Sequence, residues 1–328
     1  NGGQGVCIDS VVIKETATID KFVHSYSYKK VDHALVASKT NQLPLIRTRI
    51  EVLGNNGDGI LNSISFRLNT GSDSYFKSGG FKLFHTISDV FKSKENSSAT
   101  QIGSAVSISG GVVTFTGLNE ELELGNNYIW LTADLADDIP HGSSFSFGVD
   151  ANSFQVNDTL LPASAISDIF SASVNEAVFY DNFDASSGWT IEPDFEMDIP
   201  QGKVIGKSKD PGYAYSESKV LGTDLTDDGA YPYPLATPYH AVSPMINLRY
   251  YDQVRVYMRK WIDFNPLDRA SISFSTDGGS NWTKVWESHI DNPVASTAWD
   301  EILFSTKADE ILSKNDSVRV RFSVLEAN

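Results

Sequence analysis

Apolar residues recur at every second position, in short runs, along almost the whole chain, and no amphipathic helix competes with them. In the last such run, 317–324, Val318, Val320, Phe322 and Val324 alternate with Arg319 and Arg321. Earlier, Ile46, Thr48, Ile50 and Val52 alternate in the same way with Arg47, Arg49 and Glu51. Successive side chains of a strand point to opposite faces, so a period of two with one apolar set means a half-buried strand. The same pattern predicts strands at Val11–Lys14, Phe22–Lys30, Ile64–Leu68, Phe81–His85, Val112–Thr116, Tyr128–Ala133 and Ser144–Val149. Gly, Asn, Asp and Ser break the runs, as in the loop Gly54–Gly59 and the polar stretch Ser93–Ala99. Only Asp309–Leu312 suggests a helical turn. Short alternating strands separated by turn residues are the pattern of all-β sandwiches.

With 328 residues the chain is long enough for two such units. Ser171–Ala177 is small and polar and reads as a hinge. The expected division is an immunoglobulin-like β-sandwich over residues 1–172, a linker at 173–178 and a second β-sandwich over 179–328. The net charge of −16 argues against a nucleic-acid partner, whose phosphates need clustered Lys and Arg, and against an anionic membrane surface. No run is apolar enough to span a bilayer. Cys7 is the single cysteine, so no intrachain disulfide can form. A chain beginning at Asn1 without methionine is expected to be a processed form or a fragment.

The stretch Ala270–Glu287 carries the sharpest local signal. Ile272 and Phe274 alternate with serines, a glycine turn follows, and Val285 and Trp286 mark a second strand. Ser275, Asp277, Gly279 and Trp282 stand as Ser-x-Asp-x-Gly-x-x-Trp, which resembles the Asp-box of sialidase repeats. The chemistry is structural: Asp accepts from the turn's amides, glycines adopt angles other residues avoid, and Trp covers the hairpin's apolar side.

Two further resemblances cover most of the chain. Asn41–Val52, Ile60–Thr70, Leu122–Phe145 and Val156–Asp158 resemble the domain found beside BNR-repeat neuraminidases in Bacteroidetes-type secreted proteins, above all in Gly125-Asn-Asn-Tyr-Ile-Trp-Leu-Thr132. That resemblance implies an accessory, non-catalytic sandwich. Phe179–Ile191, Ala214–Tyr231 and His240–Ile262, together with the hairpin, resemble the jelly-roll modules of the MAM-like and cleaved-adhesin group. A further closing segment is usual in that group, so Asn328 is expected to be a truncation point. Relatives of this kind often hold one structural calcium near their first strand. The residues that would provide it are Asp181 and Asp184, facing Asp224, Asp227 and Asp228 in the loop Gly222–Gly229, since calcium takes carboxylate and carbonyl oxygens from such loops. The tripeptides Asp9–Val11, Asp158–Leu160 and Asp316–Val318 resemble a short O-glycosylation motif of Bacteroidetes envelope proteins, which bears only on compartment.

Catalytic signatures are missing. A sialidase propeller would repeat the Asp-box, and here it occurs once. There is no Gly-x-Ser-x-Gly, no His-Glu-x-x-His and no phosphate loop. The six histidines are scattered without zinc spacing. Asp134, Asp137 and Asp138 lack a second loop to complete a metal site. Tyr231, Tyr233, Tyr239 and Trp261 could form a platform for sugar rings, or could simply pack beneath a long loop. The sequence therefore points to a non-catalytic secreted or cell-surface segment of a larger exported bacterial protein, serving adhesion, carbohydrate binding or spacing. The expected partners are a glycan or a surface protein. Two alternatives stay open: an accessory region of a sialidase or protease, and a structural subunit that self-assembles by strand addition at a sheet edge.

Overall fold

The computed structural model describes residues 18–91, 99–185, 188–205, 208–227, 237–263, 268–288 and 295–326. The strand expected at Val11–Lys14 and most of the polar stretch at Ser93–Ala99 lie outside them. The chain is all-β, as the alternation requires. Residues 22–173 supply β1 (Phe22–Lys30), β2 (Leu43–Leu53), β3 (Gly59–Thr70), β4 (Phe76–Thr86), β5 (Thr100–Val106), β6 (Val112–Leu122), β7 (Gly125–Leu135), β8 (Ser144–Val149), β9 (Phe154–Val156), β10 (Thr159–Leu161) and β11 (Ile166–Ser173). One sheet runs β1-β2-β7-β4-β5. The other runs β10-β9-β3-β8-β11, with β6 also on β3.

The alternation decides which side chains meet. Ile46, Thr48, Ile50 and Val52 are fully buried, while Arg47, Arg49 and Glu51 remain partly exposed. Between the sheets Phe76, Phe81, Phe145, Phe147 and Phe170 pack mostly edge to face, with centroids 4.9–6.1 Å apart. Aromatic edges and faces attract, so such a cluster fixes how the sheets stack as well as removing apolar area from water.

The second half holds β12 (Thr190–Ile191), β13 (Phe195–Asp198), β14 (Val204–Ile205), β15 (Ser208–Lys209), β16 (Val220–Thr223), β17 (Tyr239–Val242), β18 (Val256–Lys260), β19 (Asp268–Ser275), β20 (Thr283–Glu287), β21 (Asp300–Phe304), the short helix α1 (Thr306–Leu312) and β22 (Arg319–Glu326). A five-stranded sheet runs β12-β17-β22-β19-β20, and three ribbons pair β13 with β16, β14 with β15 and β18 with β21. Phe274, Ile272, Val318 and Val320 from the sheet share a core with Val256, Met258, Ile302 and Phe304 from the ribbon β18–β21 and with Ala308 and Leu312 of α1. The helix is one turn longer at its start than Asp309–Leu312.

The stretch expected to be a hinge is tied down. Ser171–Ser173 belongs to β11. Asn175 N–H donates to Val36 O at 2.9 Å, and Ala177 N–H donates to Ser38 Oγ at 3.0 Å. Its polarity reflects capture by backbone groups of the first sandwich, which composition cannot distinguish from solvent exposure.

Candidate functional site

The turn at 275–282 is closed by its own side chains. Ser275 Oγ accepts from Gly279 N at 2.9 Å and donates to Asp277 Oδ1 at 2.8 Å. Asp277 Oδ1 also accepts from Asn281 N at 2.9 Å, and its Oδ2 accepts from Asn281 Nδ2 at 2.7 Å. Hydrogen bonds from the Asn281 backbone first, then from the Asn281 and Ser275 side chains, hold Asp277 down at about 2. Gly278 and Gly279 take φ of +73° and +99°, in the left-handed region where a side chain is strained. Trp282 folds back on the hairpin turn beside Gly279, but not on the apolar side. It lies against the guanidinium of Arg321, whose Cζ is 4.3 Å from the ring centroid, because the apolar side of the hairpin is already filled by Ile272, Phe274 and Val285.

Of the carboxylates expected to hold calcium, Asp181 and one oxygen of Asp184 are bonded to the chain itself. Asp181 accepts from Phe183 N at 2.8 Å and from Trp189 Nε1 at 2.9 Å. Asp184 Oδ1 accepts from Ser218 N, Ser218 Oγ and Lys219 N, just ahead of β16. Asp184 Oδ2 is buried without a partner. Asp224 and Asp227 follow β16, with Asp224 N–H bonded to Asp194 O and Asp227 O accepting from Lys203 Nζ. Asp228 lies outside the described residues. Calcium takes about six to eight oxygens, and among the described residues no three His, Cys, Asp or Glu side chains converge in a metal-binding group. The described carboxylates alone do not fit the ion.

The aromatic set is also dispersed. Tyr231 and Tyr233 lie outside the described residues. Tyr239 packs inward against Phe195, Ala241 and Val324. Trp261 stands nearly perpendicular to Tyr213, at 6.1 Å and 87°, and is tilted 64° from Trp299 at 5.9 Å. Its Nε1 donates to Lys209 O at 3.0 Å, and Trp299 Nε1 donates to Tyr213 O at 3.3 Å. Rings set on edge make a clasp for the segment 209–213, whereas a flat sugar platform needs an open face.

Beside this clasp is a carboxyl group that the sequence reading passed over. Burial first, then the charges of Asp263 and Asp224, push Asp210 up to about 6. Asp263 Oδ2 accepts from Lys209 N at 2.8 Å, which holds the second carboxylate next to the first. Lys209-Asp210-Pro211-Gly212 reads as an ordinary turn, and no local signal marks it.

A heavily bonded side chain joins the two halves. Glu301 on β21 accepts from Ala34 N at 2.8 Å, from Tyr257 OH at 3.0 Å and from Arg259 Nη2, with His33 Nδ1 at 3.3 Å. His33 Nε2 lies 2.5 Å from Pro44 O. A carbonyl only accepts, so that nitrogen carries a hydrogen. Burial alone would raise Glu301. The hydrogen bond from His33 and the Arg259 charge, helped by Ala34 N–H and Tyr257, outweigh it and hold the carboxyl at about 2. Arg259 stacks on Tyr215 at 3.8 Å, and Tyr215 packs on Phe91 of the first sandwich at 6.1 Å. Asn41 N–H donates to Tyr180 OH at 3.2 Å beside this cluster.

No family model matches the chain, and no curated protein matches it. Among solved structures it is similar to the Hadza microbial sialidase Hz136, at 13% identity and a TM-score of 0.34, over 76% of this chain and 41% of that one. The chain thus spans less than half of that sialidase's length. The CupB6 tip adhesin from Pseudomonas aeruginosa follows at 7% identity and a TM-score of 0.17, over 94% and 89% of the two chains. A chaperone–tip adhesin complex of CFA/I fimbriae gives 9% and 0.14, over 92% and 79%. At these scores none of them bears on what the chain does.

Proposed function

We propose that the chain is a non-catalytic segment of a secreted or cell-surface protein, whose paired sandwiches present a surface for adhesion or carbohydrate binding and hold neighbouring parts of a larger exported protein at a fixed distance. One observation carries the reading. The side chains that the sequence offers as chemistry, Asp181, Asp184, Asp277 and Trp261, are engaged by the chain's own backbone and turns. Staples of this kind suit a scaffold better than an active site, where a nucleophile and a base would be aimed at substrate. The cluster at Glu301 adds a reason for a fixed geometry between the halves. Among the described residues no helix is long and apolar enough to cross a membrane. The test is to incubate the chain with fluorogenic sialosides and with peptide substrates, and to screen it on immobilised glycans. Binding without turnover is expected. Turnover abolished by one substitution in this chain would overturn the proposal.

A further inference from the structure

The core takes Val318, just ahead of β22, and Val320 on it, so Arg319 and Arg321 belong to the sheet's outer face. The register sets Ser275 opposite Arg319 and Ser273 opposite Arg321, and one step on it sets Ser271 and His240 on either side of Ser323. Ser273, Ser275 and Ser323 are buried beneath longer side chains, with Ser275 Oγ bonded to Gly279 N and Asp277 Oδ1 within its turn. His240 Nδ1 lies 2.8 Å from Ser323 Oγ. Both arginines are half-buried, and the Nε of each is buried without a hydrogen-bond partner. Arg47, Arg49 and Arg259, half-buried in the same way, each meet a carboxylate: Asp89, Glu51 and Glu301. Arg319 and Arg321 enter no such pair among the described residues, in a chain that has 42 acidic residues to choose from. Burial pushes Arg321 down, against the opposing charge of Glu192. Two adjacent, partly desolvated cations repel each other and disfavour folding unless something anionic completes them.

We propose that this outer face binds an acidic glycan, with a sugar carboxylate on Arg319 and Arg321 and Trp282 beside it as the apolar contact. The inference rests on the glycan-binding form of the proposed function and names its ligand class. A guanidinium fork matches a carboxylate bidentately. The half-buried His240 offers a ring nitrogen to the sugar's hydroxyls, and the indole offers an apolar surface to its C–H groups. An acidic peptide would use the cations and leave the imidazole idle. The net charge does not prevent binding, because charges beyond about 8 Å are screened at physiological ionic strength.

The experiment is calorimetric titration of the whole chain with a panel of galacturonate, glucuronate and sialic acid oligosaccharides, their carboxyl-reduced neutral counterparts and a glutamate-rich peptide. At least one acidic oligosaccharide is expected to bind, more weakly as salt rises, with its neutral counterpart silent. Arg319→Gln and Arg321→Gln should each weaken it at least tenfold with the melting temperature preserved. Arg321→Lys, which keeps the charge, should lie between wild type and Arg321→Gln and serves if the glutamine variant does not fold. Equal affinity in the arginine variants would overturn the inference, as would binding of the peptide alone. Binding of neutral sugars only would overturn it while leaving the glycan-binding function standing. Silence across the panel would reject both.

Discussion

Replacing Glu301 by alanine tests the joint between the two halves. The substitution removes the acceptor of Ala34 N–H and Tyr257 OH and the counter-charge of Arg259. Hydrogen bonds to a charged group contribute about 1.5–3 kcal/mol each, but four bonds to one carboxylate are not additive. Removing one partner of a buried ion pair costs about 3–5 kcal/mol, much of it the desolvation of the partner left behind. The Glu301 side chain is 20% exposed, so water can reach the stranded groups and the lower part of that range applies. A loss of about 3 kcal/mol is expected from urea unfolding followed by tryptophan fluorescence, and about 1–2 kcal/mol for Glu301→Gln, which keeps one acceptor oxygen. Calorimetry should show the halves unfolding less cooperatively in the alanine variant. The pH dependence has a fixed sign. The folded carboxyl is held at about 2 against an ordinary 4.5, so its contribution is fully present above about 4.5 and is lost as pH falls through about 2. The gap between wild type and Glu301→Gln should therefore be constant near neutrality and close in that acidic window. A destabilisation below about 0.5 kcal/mol in the alanine variant, the level of an unremarkable surface change, would refute the assignment of Glu301 as the joint.

Asp210→Asn should stabilise the chain at pH 7. Asp210 is raised from 3.8 to about 6, so its favourable contribution is complete below 3.8 and is lost as pH rises through 6. Discounted for partial exposure, the gain is about 1 kcal/mol, and melting curves at pH 4 should show no difference. Asp277→Ala should lower the melting temperature of the second half, because it leaves Asn281 N–H and Ser275 Oγ without their acceptor; an unaltered melting temperature would refute the turn as a staple. Phe274→Ala, fully buried and edge-on to Phe304 at 5.6 Å, should cost about 3–5 kcal/mol in denaturant unfolding. Chelation of divalent cations should leave the melting temperature unmoved, since among the described residues no three His, Cys, Asp or Glu side chains converge; a fall would show that an ion is bound.

The sequence by itself determined the class of fold and much of the strand set. Side chains alternate strictly along a strand, so residues such as Ile46 to Val52 and Val318 to Val324 declare their buried face without knowledge of any partner. The turn at Asp277 was legible for the same reason, because its donors and acceptors all lie within 275–281. Strand ends were less so: β4 begins at Phe76 and β7 at Gly125, since pairing with neighbours extends a strand past its apolar stretch. What only the tertiary structure decided is every interaction between distant segments. Glu301 and His33 are 268 residues apart in sequence, and nothing local to Trp299-Asp300-Glu301-Ile302 separates it from any exposed strand carboxylate. Asp210 owes its raised affinity for protons to burial and to Asp263, 53 residues on. Trp282 reads as a cover for apolar surface until the core is seen to be full, and its ring then falls to Arg321. A half-buried arginine looks the same in sequence whether a carboxylate meets it or not. Packing alone shows that Arg47, Arg49 and Arg259 each pair with a carboxylate of the chain, and that Arg319 and Arg321 form no such pair among the described residues.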